Sequence, residues 1–223
     1  MKVLASGSKA NCYTFCDGTA TILIECGLPY LKTLELLNWK LPDAILITHE
    51  HGDHARAARN FLERGVDTYM TAGTADALKL KRHNLHIIKP NEPIDICGRK
   101  VLPIPVKHDA NEPVNFTIDD EILFVTDAGE VPNVSGNFRQ VLIEANYETL
   151  TLLGADISTA QKERVRENHL SIKQAKNFLQ TLAEPEEIWL IHLSKRHASG
   201  EEFIREVKEA TGFKNVFAAE VSK

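Results

Sequence analysis

The segment at residues 48–54 constrains this chain most, because it places three histidines and an aspartate directly after a short apolar run. The run, Ala-Ile-Leu-Ile, is typical of a buried β-strand. Imidazole nitrogens and carboxylate oxygens suit zinc, manganese and iron. In an extended segment, alternation turns His49 and His51 to one side, so that Asp53 and His54 can face a second ion. The segment therefore predicts a strand that ends at a metal site.

Apolar runs separated by turn residues predict strands in both halves of the chain. The predicted strands cover residues 2–5, 12–16, 21–26, 44–47, 100–106, 114–118, 121–126, 140–145 and 188–193. Asp17-Gly18 and Asp119-Asp120 are predicted turns between neighbouring strands. Helical spacing predicts a helix over residues 55–64, after a loop at 49–54. Capping patterns at Ser171 and Ser199 predict helices over 171–182 and 199–212.

The length of 223 residues suits one domain over residues 1–223. Strands and helices in both halves predict two packed sheets flanked by helices. The N-terminus lacks the apolar stretch of a signal peptide, and no run is long enough to span a membrane, so we predict a soluble cytoplasmic protein. The four cysteines form no Cys-x-x-Cys pair and are predicted to be reduced thiols. The net charge of −5 argues against a polyanionic partner, although bound metal ions would add local positive charge.

The pattern His-x-His-x-Asp-His at residues 49–54 resembles the signature of the metallo-β-lactamase superfamily. The resemblance implies a metallo-β-lactamase-type αββα sandwich of two mixed β-sheets flanked by helices, with two divalent metal ions per chain. It also implies further ligands at strand ends, in the order histidine, bridging aspartate, histidine. The implied ligands are His49, His51, Asp53, His54, His108, Asp127 and His192.

The resemblance also divides these ligands between the two ions. One ion is assigned to His49, His51, His108 and the bridging Asp127, and the other to Asp53, His54, Asp127 and His192. These ligand types accept zinc, manganese or iron, so the native metal stays open. Asp53 is carried over as a catalytic residue as well as a ligand.

Glu144 and His169 suit a phosphodiester substrate. In phosphodiesterases and nucleases of the superfamily, such as the tRNA 3′-processing enzymes, a glutamate after a strand orients a histidine before a helix. The resemblance therefore implies that Glu144 orients His169, and that His169 donates a proton to the leaving oxygen. The adjacent helix start would offer N–H groups to a phosphate oxygen. The alternative is that the two residues are unrelated and that His169 merely lies beside the cap Ser171.

Segments 6–12, 108–113, 168–171 and 192–194 resemble those of the YycJ-like (WalJ) exonucleases, and the match runs from residue 4 to about residue 194. This resemblance implies a 5′-to-3′ DNA exonuclease that uses a hydroxide activated by two metal ions. The chain departs from the family at Lys9-Ala10, where members have Ser-Gly, and it is shorter than most members. The size of the substrate is therefore open.

Substrate contacts are predicted at Ser8, Lys9, Asn11, Lys195 and Arg196. The last two closely follow His192, whereas Lys9 has the alternative of a solvated side chain. The predicted partner is nucleic acid, DNA rather than RNA, or a small phosphodiester. The oligomeric state is open, and a homodimer is one option.

Other functions stay open at this point. A small-molecule phosphodiesterase, acting on a cyclic nucleotide or a similar compound, would suit the acidic charge and the short chain. An RNA-processing nuclease would use the same residues, and a lactonase or thioesterase is a weaker option. A non-catalytic nucleic-acid-binding protein is disfavoured, because every expected ligand is present. A β-lactamase is disfavoured by the lack of a signal sequence.

Overall fold

Two units make up residues 1–219, the part of the chain that the computed structural model describes. Unit 1 contains residues 1–105 and 110–114, and unit 2 contains residues 106–109 and 115–219. The predicted single domain over residues 1–223 stays a prediction, and its last four residues lie outside the described ones. Among residues 1–219, no helix has both the length and the apolar character needed to cross a membrane.

Unit 1 contains a six-stranded sheet whose strands follow in chain order. Its strands are β1 (Lys2–Ala5), β2 (Cys12–Cys16), β3 (Thr21–Ile24), β4 (Ala44–Leu46), β5 (Asp67–Thr71) and β6 (Leu85–Ile88). The first three are antiparallel, and β3 to β6 are parallel. Its helices are α1 (Tyr30–Leu36), α2 (Gly52–Ala55), α3 (Ala58–Glu63) and α4 (Ala72–Leu78), and β7 (Ile94–Ile96) and β8 (Arg99–Pro105) form an antiparallel pair.

The parallel part of this sheet explains where the histidine-rich segment lies. All three residues of β4 are buried, as expected for a strand inside a sheet that is covered on both faces. The carboxyl ends of β3 and β4 meet at one sheet edge, because the strands are parallel neighbours. The segment that follows each strand therefore lies at that edge.

Unit 2 contains strands in the spatial order β13-β12-β11-β10-β9. They are β9 (Val114–Ile118), β10 (Ile122–Val125), β11 (Gln140–Glu144), β12 (Glu187–Ile191) and β13 (Val216–Ala218), and the longer segment of the unit begins within β9, at residue 115. The β9–β10 pair is antiparallel and the other pairs are parallel. The helices are α5 (Thr149–Gly154), α6 (Thr159–Asn168), α7 (Ile172–Leu179) and α8 (Gly200–Thr211).

Every predicted strand is present; β1, β2 and β9 have the predicted bounds, and the ends of the others are shifted. Asp119 and Asp120 both have positive φ, which is the backbone of a tight hairpin turn. Ser171 forms the predicted capping box with Gln174, and Ser199 caps α8. The helix predicted over residues 55–64 and the loop over 49–54 were wrong in detail, because a short helix already begins at Gly52 and a second one follows it. The missed elements are α1, α4, α5, α6, β5, β6, β7 and β13.

Candidate metal centre

Unit 1 holds four predicted ligands where β4 ends and α2 begins. His51 is the N-cap residue of α2, which places Asp53 and His54 in its single turn. The ring centroids of His49 and His51 are 4.6 Å apart, and those of His49 and His54 are 4.2 Å apart. One ligand atom of His49 lies within 4.8 Å of one on His51, and the same holds for Asp53 and His54. The local chain path alone thus brings two pairs of metal-ligand atoms together.

Glu25, which the sequence did not single out, supports this segment from the end of β3. Its side chain is fully buried, and its Oε1 accepts a 3.2 Å hydrogen bond from the N–H of Thr48. Its Oε2 lies 3.6 Å from His54 Nδ1. Burial raises the pKa of Glu25, although the imidazole of His54 opposes this shift. A carboxylate behind an imidazole fixes the orientation of the ring and strengthens it as a ligand.

Asn11 and Gly27 also hold the segment in place. Asn11 Oδ1 accepts a 3.0 Å hydrogen bond from the N–H of Gly7. Asn11 Nδ2 lies 2.9 Å from His54 Nε2 and 3.4 Å from Asp53 Oδ2. A Cβ atom at Gly27 would lie 1.7 Å from the carbonyl oxygen of Asp53, so only glycine allows the two backbones to approach this closely.

The predicted substrate contacts differ in exposure. Ser8 and Lys9 are exposed in unit 1, and Lys195 and Arg196 are exposed in unit 2. Asn11 is fully buried and holds the histidine-rich segment. All five substrate contacts stay predictions, and the structure gives Asn11 a supporting role besides.

Unit 2 gathers four residues from distant parts of the chain into one cluster. Asp127, Glu144, His169 and His192 each offer a ligand atom within 4.8 Å of the others. Asp127 Oδ1 lies 2.9 Å from His192 Nδ1 and 3.3 Å from His169 Nδ1. Glu144 Oε1 lies 2.7 Å from His169 Nδ1 and 2.8 Å from His192 Nδ1. Carboxylates and imidazoles at these distances form a donor set that fits a divalent ion.

Glu144 is the centre of this cluster. Its Oε2 accepts hydrogen bonds from the N–H groups of Ala128 (3.2 Å) and Leu170 (3.1 Å), so both carboxylate oxygens are engaged. Burial raises the pKa of Glu144, but the imidazoles of His169 and His192 outweigh it and leave the pKa below its usual value. The predicted partners Glu144 and His169 are thus in direct contact, while their catalytic roles stay predictions.

His169 differs from its neighbours in exposure. Its side chain is 21% exposed, whereas those of Asp127, Glu144 and His192 are 4%, 0% and 2% exposed. Burial lowers the pKa of His169, but Glu144 and Asp127 outweigh burial and raise the pKa to about 9. His169 is therefore the member of this cluster that a bound substrate can reach.

Unit 2 also contains the predicted ligand His108, and Asn146, which holds His192 in position. His108 Nε2 lies 4.0 Å from Asp127 Oδ2, and its Nδ1 lies 3.1 Å from the carbonyl oxygen of Asn168. Burial lowers the pKa of His108 despite the opposing charge of Asp127, which favours the neutral form that binds metals. Asn146, which the sequence did not single out, donates a 2.9 Å hydrogen bond to the carbonyl oxygen of His192.

Three of these residues occupy the left-handed backbone region. Glu25, Asp127 and His192 have φ values of 63°, 44° and 52°. This region costs non-glycine residues about 1–2 kcal/mol, and such strain concentrates at functional sites. The cost indicates that these strand ends are shaped for the placement of their side chains.

The start of α7 offers less to a phosphate than expected. The N–H of Ile172 donates to the carbonyl oxygen of Tyr147 at 2.9 Å, and the N–H of Gln174 donates to Ser171 Oγ at 3.2 Å. Two first-turn donors are therefore already used inside unit 2, and the phosphate contact at this helix start stays a prediction.

Comparison with known proteins adds the family. The model of the "Beta-lactamase superfamily domain" matches residues 20–193. The chain belongs to this superfamily. The exodeoxyribonuclease WalJ of Streptococcus pneumoniae is 30% identical in a 219-residue alignment that covers 87% of this chain and 81% of that protein. The superfamily model confirms the predicted superfamily, and the match to WalJ confirms the predicted resemblance to the WalJ-like family.

Solved structures show the same fold. The metallo-β-lactamase fold protein YhfI from Bacillus subtilis matches with a TM-score of 0.73 and 17% identity, covering 100% of this chain and 96% of that chain. A diphosphatase from the PhnP family matches with a TM-score of 0.72 and 16% identity, covering 100% and 95%. The predicted fold class, with two mixed sheets flanked by helices, is confirmed. The superfamily match and the similarity to WalJ confirm the predicted enzyme class, a metallo-hydrolase. The fold and the His/Asp clusters suit divalent metal binding.

Proposed function

We propose that this superfamily member is a metal-dependent phosphodiester hydrolase that removes nucleotides from DNA in the 5′-to-3′ direction. The observation that carries the proposal is the contact between Glu144 and His169 beside Asp127 in unit 2. A carboxylate that holds a partly exposed imidazole next to a metal ligand suits protonation of a leaving oxygen. The extended similarity to the exodeoxyribonuclease WalJ supports DNA as the substrate.

We further propose that two divalent ions bind to the seven ligands. One would use His49, His51, His108 and Asp127, and the other Asp53, His54, Asp127 and His192. When bound, such ions activate water for attack and polarise a phosphoryl oxygen. Zinc and manganese are the expected ions, and iron suits the same donors.

The residues of the chain supply the remaining steps. Glu144 accepts a hydrogen bond from Nδ1–H of His169, which fixes the ring and leaves Nε2–H to face the substrate. His169 then gives a proton to the departing oxygen as the ester bond breaks. Glu25 and Asn146 hold His54 and His192 in position. Asp53 would serve as a metal ligand, and its carboxylate would also orient the attacking water.

A small-molecule phosphodiesterase is the second candidate, because the net charge of −5 disfavours a polyanion. An RNA-processing nuclease, which would use the same residues, is the third candidate. We propose a cytoplasmic location and nucleic acid as the partner, and a homodimer stays open.

The test incubates manganese- and zinc-loaded protein with 5′-labelled single- and double-stranded DNA, RNA and bis-p-nitrophenyl phosphate. We expect the labelled 5′ nucleotide of DNA to be released as a mononucleotide, and no release with Asp127→Ala. Asp156→Ala is the matched control, because Asp156 is exposed on the surface of unit 2. Turnover of the small diester without DNA cleavage would overturn the exonuclease proposal, and preferred cleavage of RNA would redirect it.

A further inference from the structure

A cavity of about 640 Å³ opens in unit 2 beside helices α6 and α7. The part of its wall that matters here consists of Lys107, Gly129, Tyr147, Arg166, Ser171 and Lys173. Its volume lies within the roughly 300–1,000 Å³ that is usual for small-molecule sites. The cavity can therefore hold a group much larger than a single phosphate.

Three wall residues lie close to site residues in the sequence. Lys107 immediately precedes His108, Gly129 lies two residues after Asp127, and Ser171 lies two residues after His169. Two residues span at most about 7.6 Å between Cα atoms. Gly129 and Ser171 in the wall therefore lie no farther than this from Asp127 and His169 of the cluster.

Hydrogen bonds tie these walls together. The N–H of Gly129 donates to the carbonyl oxygen of Lys107 at 2.8 Å, and Gln174 Nε2 donates to the carbonyl oxygen of Gly129 at 3.3 Å. A Cβ atom at Gly129 would lie 1.8 Å from the carbonyl oxygen of Glu167, so this wall needs glycine. The cavity therefore has a fixed shape that the chain has to maintain.

The charge of the cavity differs from that of the whole protein. Lys107, Arg166 and Lys173 contribute three positive charges, and Glu163 and Glu167 contribute two negative ones. This local excess of positive charge contrasts with the net charge of −5 of the chain. Ammonium and guanidinium groups recognise phosphate oxygens through charge-assisted hydrogen bonds.

Nearby hydroxyl and amide groups suit the sugar of a nucleotide. Tyr147 contributes a hydroxyl group to the lining and Asn177 an amide, whereas the Ser171 hydroxyl is already bonded to Gln174 Oε1 at 2.7 Å. Tyr147 and Ser171 are buried, so their positions are set by packing. A ligand with one phosphate and several hydrogen-bonding groups would fit this lining better than a purely apolar one.

We propose that this cavity is a nucleotide subsite, which binds a nucleoside monophosphate unit next to the bond that is cut. The proposal rests on the proposed function, because the strand held there would be the one that the cluster hydrolyses. Arg166 and Lys173 bind the phosphate of that unit. The unit comes either from an intact strand or from a released mononucleotide, which share this chemistry.

The test compares Arg166→Glu/Lys173→Glu with the matched double variant Arg205→Glu/Lys208→Glu. Arg205 and Lys208 are exposed on α8 and do not line the cavity, so the control makes the same change of charge elsewhere. Thymidine 5′-monophosphate is titrated into each metal-loaded protein by calorimetry, with thymidine as the ligand that lacks the phosphate. A parallel arm measures the KM for 5′-phosphorylated single-stranded DNA and the kcat/KM for bis-p-nitrophenyl phosphate.

We expect the cavity variant to weaken nucleotide binding or raise the KM for DNA by about 10-fold or more, as the loss of charge-assisted hydrogen bonds predicts. In the control variant, nucleotide affinity and the KM for DNA should change by less than about twofold. The kcat/KM of the cavity variant for the small diester should also change by less than about twofold, because it does not depend on these phosphate contacts. An effect in the mononucleotide arm identifies a released product as a ligand, and an effect in the DNA arm alone identifies the strand.

Equal nucleotide affinity and equal KM in both double variants would overturn the subsite. If Arg166→Glu/Lys173→Glu is misfolded by circular dichroism, Arg166→Gln/Lys173→Gln replaces it, and an unchanged result there also overturns the subsite. If the protein cleaves no DNA but binds the mononucleotide through Arg166 and Lys173, the proposed exonuclease fails and the nucleotide site stands. The two failures are therefore distinguishable.

Discussion

Unit 1 and unit 2 supply their predicted metal ligands in different ways. In unit 1, four ligands lie within residues 49–54, and a strand end followed by a single helical turn brings them together. In unit 2, the cluster combines residues that are far apart in the chain, from Asp127 to His192. A local motif needs only its own backbone, whereas a dispersed cluster depends on the correct pairing of several strands. The two regions should therefore respond differently to substitution.

The largest effect is expected for Asp127→Ala in unit 2. Asp127 is the proposed ligand of both ions, so its loss should lower hydrolysis by roughly 1,000-fold or more, which corresponds to several kcal/mol of lost stabilisation. Metal content by mass spectrometry and phosphodiester hydrolysis measure the effect, with Asp156→Ala as the control. A variant that keeps two ions per chain and normal activity would show that unit 2 does not hold the metal centre.

The next effect separates a ligand from a proton donor within unit 2. We expect His169→Ala to reduce kcat on DNA by roughly 100-fold or more while the metal content stays unchanged. The loss on bis-p-nitrophenyl phosphate should be smaller, because p-nitrophenolate leaves without a proton. Exposed His83 provides the control variant, His83→Ala. Loss of metal from His169→Ala would instead make His169 a ligand, and equal losses on both substrates would contradict proton donation.

A smaller effect on metal affinity is expected for Glu25, which contacts the local motif of unit 1. Glu25→Gln keeps the shape of the side chain but removes the charge that faces His54 Nδ1. We expect metal affinity to fall by about 10- to 100-fold, the usual result of losing a supporting carboxylate. Competition titration with a metal chelator measures it, and Glu35→Gln, on the exposed face of α1, is the control. Unchanged affinity would mean that the motif of unit 1 is self-sufficient.

The smallest effect is expected for Glu50→Ala, within the motif itself. Glu50 Oε1 accepts 2.8 Å hydrogen bonds from both the N–H and the Nδ2 of Asn111. Their loss should lower the free energy of unfolding of the metal-free protein by about 1 kcal/mol, because both hydrogen bonds are exposed to solvent. Urea denaturation measures the change against Glu63→Ala, whose carboxylate makes only an exposed ion pair at 3.7 Å. An identical unfolding free energy in both variants would leave Glu50 without a structural role.

Features that depend on neighbouring residues could be predicted from the sequence. The apolar run before His49 indicates a buried strand, and the closely spaced ligands predict a metal site without knowledge of the rest of the chain. The Asp119-Asp120 turn and the Ser171 cap were predicted for the same reason, since each is stabilised by hydrogen bonds within a few residues. The family resemblance extended this prediction to His108, Asp127 and His192.

Features that depend on distant residues were decided by the tertiary structure. In the sequence Glu25 is an ordinary residue within the predicted strand 21–26, and only the parallel pairing of β3 with β4 brings it to Thr48 and His54. Asn146 gains its role only where β11 and β12 run side by side. Gly27 matters because a second backbone passes within contact distance, which no local pattern reveals. The sequence by itself determined which residues could bind metal, and the folding of strand ends onto one another decided which residues hold them in place, because long-range contacts have no local signature.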